Sequence, residues 1–423
     1  MRTDLAVAVA VAATALALLA MPASAQRPTP RREIVVSPAG PVRTVTEALR
    51  LAPRGARIVV RGGHYREPML VVRQPVELVG EGWPVLDGEN QRQIMNVLAD
   101  DVTVRGFVFR DVGRSMTEDR AAIAVSEASG CVLEGNRFEN AYFGIYLARV
   151  TDCRVAHNEL RGAGRTEMES GNGIHLWTAE RVTIEDNRIA GHRDGIYFEF
   201  VKGSVIRRNV SERNVRYGLH FMYSDGCEYR ENVFRRNLAG VAVMYTKRVT
   251  MVRNRFEDNW GSASYGLLLK EIEAPTLEGN TFARNTVGLV ADGATHVVAR
   301  GNRFTGNGWA LRLQSSTYDG RFERNDFVGN TFDVATNARQ SDNHFAGNFF
   351  DGYAGYDLDH DGVGDVPHRP VRLFSVVVEK NPPTLILLRS LFVTLLETAE
   401  RVIPALTPEA LIDETPSMRP NIR

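Results

Sequence analysis

His220 and Met222 stand two residues apart in the run RYGLHFMYSDG, and Met244 follows in a second run of similar kind, AGVAVMYTK. A thioether beside an imidazole is a soft-to-borderline ligand set, which among biological metals favours Cu(I). A harder ligand set lies near the C-terminal end. Asp357, Asp359, Asp361, Gly362 and Asp365 reproduce D-x-D-x-D-G-x-x-D, oxygens at alternate positions followed by a glycine turn, a pattern that can wrap Ca²⁺. The twelfth position of that loop is His368 instead of a bidentate glutamate, and no helical pair flanks it. The alternative is a solvated acidic loop held by its own Asx turns.

Whether His220 and Met222 face a core or a ligand depends on the elements that carry them. From Cys131 to Asn348 one phrase recurs, in forms such as GNRF, RNRF and GNTF, around Asn136, Asn158, Asn187, Asn209, Asn232, Asn254, Asn280, Asn302, Asn325 and Asn348. The spacings are 22, 29, 22, 23, 22, 26, 22, 23 and 23, a period of about 22 with two insertions. Each period holds three short alternating segments with turns at Gly and Asn, which describes one coil of a right-handed parallel β-helix, an all-β fold. Stacked at equivalent turns, the asparagines form amide ladders, and the phenylalanines two residues later (Phe138, Phe234, Phe256, Phe282, Phe304, Phe327) stack inside the cylinder. Cys131, Cys153 and Cys227 each precede a marker asparagine by five residues, where other coils carry valine. They read as buried thiols, with a Cys131–Cys153 bridge as the lesser alternative.

Aligning the coils on Gly144, Gly173, Gly195, Gly218, Gly240 and Gly266 sorts the side chains into columns. Positions one and three after the glycine are apolar throughout and face inward. Positions two and four then face outward: Tyr146, His175 with Trp177, Tyr197 with Glu199, His220 with Met222, and Met244. A solvated strand would carry Thr, Ser, Lys and Glu there, so this patch reads as a contact or ligand surface. His220, Met222 and Met244 are its first-choice copper ligands, His175 and Glu199 the second choice, and Tyr146, Trp177 and Tyr197 a partner surface. Alternatively, the insertions Gly164 to Ser170 and Trp260 to Tyr265 fold over the face and bury it.

Residues 1–25 have the form of a signal peptide: Arg2, an apolar core from Leu5 to Leu19, and Ala23-Ser24-Ala25 as a cleavage site. No later stretch is long and apolar enough to span a membrane, so the expectation is an exported, soluble chain of an oxidising compartment. Lysine plus arginine balance aspartate plus glutamate at 51 each, which gives no field to attract nucleic acid. Val45 to Leu51 reads as a short helix capping the first coil, residues 26–350 as β-helix, and 351–370 as the Asp-rich turn. The tail, 371–423, carries an amphipathic helix over Leu385 to Leu406, with Leu387, Leu388, Leu391, Leu395, Leu396 and Ala399 at helical spacing. That helix caps the last coil or meets a hydrophobic partner. The residues from Thr407 onward, polar and proline-containing, read as mobile.

The strands GLHFMYSDG, AGVAVMYTK and GIYFEF, together with the signal peptide, resemble the NosD family, periplasmic β-helix proteins of nitrous oxide reductase maturation. The resemblance extends over essentially the whole mature chain. It implies an accessory protein, not an enzyme: a docking body and transient Cu(I) chaperone for assembly of the reductase's copper centres. The implied partners are nitrous oxide reductase, the membrane subunit of an ABC transporter and through it a cytoplasmic ATPase, and a copper-donor lipoprotein. It also implies that the tail helix docks on the membrane subunit, leaving the protein peripherally attached to the membrane. The chain has no Walker motif of its own, which accords with ATP being hydrolysed elsewhere. The rival reading is a carbohydrate-active β-helix enzyme, a lyase, hydrolase or epimerase. Such a site needs paired carboxylates or a basic stripe, and the outward strands offer Glu199 alone.

Overall fold

The computed structural model describes residues 32–115, 117–403 and 407–422; the expected signal peptide lies outside them. Three parallel sheets of 14, 13 and 12 strands wrap one cylinder, and each coil contributes one strand to each sheet in turn. In the coil of Asn187, for example, Thr183–Glu185 belongs to the first sheet, Arg188–Ala190 to the second and Asp194–Lys202 to the third. The coil ahead and the coil behind pair in register with it, so equivalent residues stack along the axis. Helix α1 (Val45–Leu51) covers the first coil, with Thr44 accepting from the Glu47 N–H as its N-cap and Val45 and Ala48 buried. The capping expectation for this segment is met.

The cylinder is filled by the columns that alternation places inward. Ile196 and Phe198, Leu219 and Phe221, and Val241 and Val243 are completely buried. Phe256, Phe282, Phe304 and Phe327 stack nearly coplanar at 4.7–5.0 Å between successive ring centroids. The glycine that precedes each inward pair on the third sheet has a steric cause: a Cβ on Gly240 would collide with the carbonyl oxygen of Gly266 in the next coil. All three cysteines are buried free thiols. The hydrogen bond with the adjacent Cys153 thiol, then burial, push Cys131 up, and burial pushes Cys227 to about 11, so neither is a ready thiolate.

Where the chain turns from the first to the second sheet, the marker asparagines form the expected ladder. Asn209 donates from Nδ2 to Oδ1 of Asn232 at 3.0 Å and to the Ile184 carbonyl of the preceding coil at 2.9 Å, while its backbone N–H also reaches Asn232 Oδ1. One side chain thus satisfies corner groups of three coils. A second ladder runs along the turn from the second to the third sheet through Asn214, Asn237, Asn259, Asn285, Asn307 and Asn330.

The C-terminal segment departs from expectation in two ways. The predicted single helix from Leu385 is a 3₁₀ turn (Pro382–Leu387) followed by a separate helix, α3 (Leu391–Val402), because Ser390 caps a new N-terminus by accepting from the Val393 N–H; residues 404–406 lie outside the described residues. Helix α2 (Leu373–Lys380) packs on the end of the third sheet, where Phe374 and Val378 meet Phe332 and Trp309, and α3 packs on α2 through Val393 and Leu396. Helix α3 does not reach the last coil, while α2 covers part of that end through Val376, which packs on the main core. The residues after Thr407, expected to be mobile, complete the closure. Asp413, fully buried, accepts from Nδ2 and the backbone N–H of Asn348 at 2.8 and 3.0 Å, and so terminates the first ladder. Leu411 enters the core, and Asn421 and Ile422 donate to Asp326. The physical reason is that the last rung needs an acceptor, which a polar tail can supply.

Asp413→Ala leaves two buried donors of Asn348 without a partner and should destabilise the C-terminal coils by roughly 2–4 kcal/mol. Urea unfolding followed by circular dichroism measures it, with exposed Asp342→Ala as a control within about 0.5 kcal/mol.

Candidate functional site

The outer face of the third sheet carries the residues singled out above, and it divides lengthwise into two zones. In the position-two column, His175, Tyr197 and His220 are buried, not exposed as the alternation alone suggested. Alternation sets which way a side chain points, but neighbouring rings decide what covers it, and the insertions reach the face at Arg216 and Tyr217. The first insertion approaches through Glu167, whose carboxylate lies 3.8 Å from Arg216, and the second packs Tyr265 against Tyr217. Beneath them the rings stack along the axis in the order Tyr146, His175, Tyr197, His220, with centroids 4.6, 4.6 and 5.2 Å apart. Tyr217 closes over His220 at 4.8 Å.

Burial sets the protonation of this zone. His175 is held down to about 3 by burial and by the Arg193 charge, and its Nδ1 faces Nδ2 of Asn172 at 3.1 Å. His192, which heads the second asparagine ladder by donating its backbone N–H to Asn214, is held down to about 4 by burial. Asp194 is completely buried; burial pushes its carboxyl upward, but hydrogen bonds and charge from Arg216 and His220 outweigh that and keep it below the usual range.

The position-four column is half-exposed. Register places Trp177, Glu199, Met222, Met244 and Lys270 in one row, each beside the next across adjacent strands. Met222 and Met244 are therefore direct neighbours, Glu199 adjoins Met222, and His220 lies on the same strand two residues before Met222. His175 does not join this group, because Tyr197 separates it from His220 along the column. Trp177 is two coils from Met222 and carries the Arg149 guanidinium 5.4 Å from its ring centroid. Tyr197 donates its hydroxyl to Glu199 at 3.3 Å, linking the two columns.

A third row escaped the sequence reading. Phe200, Tyr223 and Tyr245 occupy the next position in the coils of Glu199, Met222 and Met244, stacked 5.3 Å apart at 14° and all exposed. Each is in the left-handed region, with φ of 56°, 51° and 55°, which is uncommon for bulky residues. The repeated Met-Tyr dipeptide was the available signal. The half-open methionine row thus runs between a roofed His/Tyr column and an exposed aromatic wall.

In the Asp-rich turn, carboxylate oxygens of Asp357, Asp359 and Asp361 gather within 4.8 Å of one another. Asp357 also accepts the N–H groups of Asp361 and Gly362, and Gly362 takes φ 89°. Asp365 turns to the Leu358 N–H at 2.7 Å and His368 packs against Phe350, so neither belongs to the gathered set.

A family model described as periplasmic copper-binding protein (NosD) matches residues 156–355. A Pseudomonas aeruginosa protein described as a probable ABC transporter binding protein NosD is 31% identical, over 82% of this chain and 85% of its own length. A Stutzerimonas stutzeri protein of the same description is 27% identical, over 88% and 89%. Among solved structures, the family 28 exopolygalacturonase of Yersinia enterocolitica superposes with a TM-score of 0.57 at 11% identity, covering 77% of this chain and 79% of its own. That likeness is one of fold.

Neutral burial of His175 and His192 makes stability depend on pH. The unfolded chain binds protons near the ordinary value of 6.5 while the folded chain resists them until about 3 and about 4, so stability should fall as pH drops from about 6.5 toward 4. Each histidine contributes up to about 1.4 kcal/mol per pH unit in that window. Urea midpoints at pH 7 and pH 4.5 check this, and His192→Asn should flatten the slope by about one proton.

Proposed function

The chain belongs to the NosD family, and from that premise we propose that it is a periplasmic accessory protein that helps assemble the copper centres of nitrous oxide reductase. On this reading residues 1–25 direct export, and the β-helix is a docking body and transient Cu(I) carrier attached to an ABC transporter, without catalysis of its own. The observation that carries the proposal is the pairing of Met222 and Met244 on adjacent strands with His220 two residues away. Two thioethers and an imidazole form a soft, low-charge set suited to Cu(I) and poorly suited to hard ions. The half-open row lets an ion enter and leave, as a relay needs. Glu199 is the one carboxylate in the row, so the paired acid and base of a carbohydrate-active site have no counterpart there.

Titration of the mature chain with Cu(I) against a competing chelator, without oxygen, should show about one equivalent bound. Met222→Leu with Met244→Leu removes the thioethers at nearly constant volume and should abolish that uptake in a folded protein. A variant with all three cysteines changed to alanine should retain it. Loss that follows the cysteines instead would recast the row as a surface for protein docking.

The transporter contact is assigned to the 3₁₀ turn and α3. Ile386 is 88% exposed and Leu391 74%, with Phe392, Leu395 and Val402 also exposed, while the opposite side of α3 is used up against α2. An apolar face of that extent suits a membrane subunit or the lipid beside it. Leu391→Glu with Leu395→Glu should abolish co-purification with the transporter and leave Cu(I) uptake unchanged, since α2 and α3 lie at the far end of the sheet. The Asp-rich turn is assigned a structural calcium ion, in keeping with its clustered oxygens.

A further inference from the structure

The surroundings of His220 hold a feature that the copper reading leaves unused. Its Nε2 is enclosed and has no hydrogen-bond partner. Its Nδ1 sits between two groups that make opposite demands: Nη2 of Arg216 at 3.4 Å, a donor, and Oδ2 of Asp194 at 3.7 Å, an acceptor. A neutral imidazole carries one hydrogen. If Nδ1 accepts from Arg216, the hydrogen is on Nε2 and that nitrogen cannot bind a metal. If Nδ1 carries the hydrogen, it faces the Asp194 carboxylate and the Nε2 lone pair is free. A carboxylate behind a ligating histidine fixes the tautomer in just this sense.

Asp194 is anchored for the task. Its Oδ1 accepts from Nε of Arg216 at 2.9 Å and from the Tyr217 N–H at 3.3 Å, its Oδ2 accepts from Nη2 of Arg216 at 2.5 Å, and it is wholly buried. The remaining nitrogen of Arg216, Nη1, lies 3.8 Å from Glu167 on the first insertion. A line of charged contacts therefore runs from the insertion surface through Glu167, Arg216 and Asp194 to His220. Beside Glu167, Met168 stands 76% exposed, so the insertion that reaches Arg216 carries a soft ligand at its outer surface.

We propose that Asp194 is a positioning residue that holds His220 with Nε2 free to take a soft metal ion, and that Glu167, by engaging Arg216, lets the insertion Gly164 to Ser170 govern access to that nitrogen. The identity of the ion rests on the copper reading above; the coupling between insertion and imidazole does not.

Two variants and two readouts separate these. Diethyl pyrocarbonate, which acylates accessible neutral imidazole nitrogens, is followed residue by residue by mass spectrometry, and Cu(I) uptake is followed by chelator competition. His296, 61% exposed, serves as the labelled reference and buried His192 as the report of an intact fold. In wild type, His220 should label slowly. Glu167→Gln should raise its labelling rate several-fold while leaving Cu(I) affinity within about twofold, because no ligand or orienting group is lost. Asp194→Asn should lower Cu(I) affinity about 10–100-fold. Should Asp194→Asn unfold the protein, shown by labelling of His192, the Glu167→Gln result decides. Unchanged His220 labelling in Glu167→Gln, or wild-type Cu(I) affinity in a folded Asp194→Asn, overturns the proposal. Faster His220 labelling in Glu167→Gln with no Cu(I) uptake by wild type would sustain the coupling and reject copper as the ion.

Discussion

The amide ladders at the corners are the constraint on which everything else in this molecule depends. A parallel sheet satisfies its own backbone along each strand, but a coil must bend between sheets, and at each bend N–H and C=O groups leave the ladder while still buried. Asn209 resolves this by serving the coils before and after its own with one side chain. The same solution repeated at two corners fixes the coil period, fixes the register, and hence places Met222 beside Met244 without any special interaction between them. The geometry of the outer face is a by-product of how the inner corners are satisfied.

Much of this was readable from residues. The first ladder announced itself by its period, the inward columns by alternation, and the glycines by recurring where backbones approach. The second ladder was equally present as asparagine five residues after asparagine, in RNVSERN or GNTFARN, and was passed over because the first one already accounted for the period. Burial of His175 and His220 was legible only as the alternative in which the two insertions fold over the face. Their direction follows from alternation, but their cover depends on neighbouring rings such as Phe143 and Tyr217 and on long-range contacts such as Glu167 with Arg216. The role of Asp413 was hidden for a similar reason: its partner Asn348 is 65 positions away, and no local pattern marks an aspartate as the end of an asparagine ladder.

The outer face shows how much of the scaffold the fold leaves free. The exopolygalacturonase and this chain share the coil, and the coil leaves every second side chain of every strand uncommitted. This chain uses that freedom in three adjacent rows on one sheet: buried rings, half-exposed thioethers, and an aromatic wall at positive φ. Each row is a column of equivalent positions, so a site is built by changing one residue type in successive repeats.

Stacking also makes the molecule a ruler. The strand bearing Met244 and the strand that supports α2 are four coils apart in the third sheet, a separation of about 19 Å at the spacing of parallel strands. Because identical asparagines cap every rung, a coil can be added or removed between them with both ladders closing as before. Distance between the methionine row and the helical end is therefore available only in whole steps of about 4.8 Å.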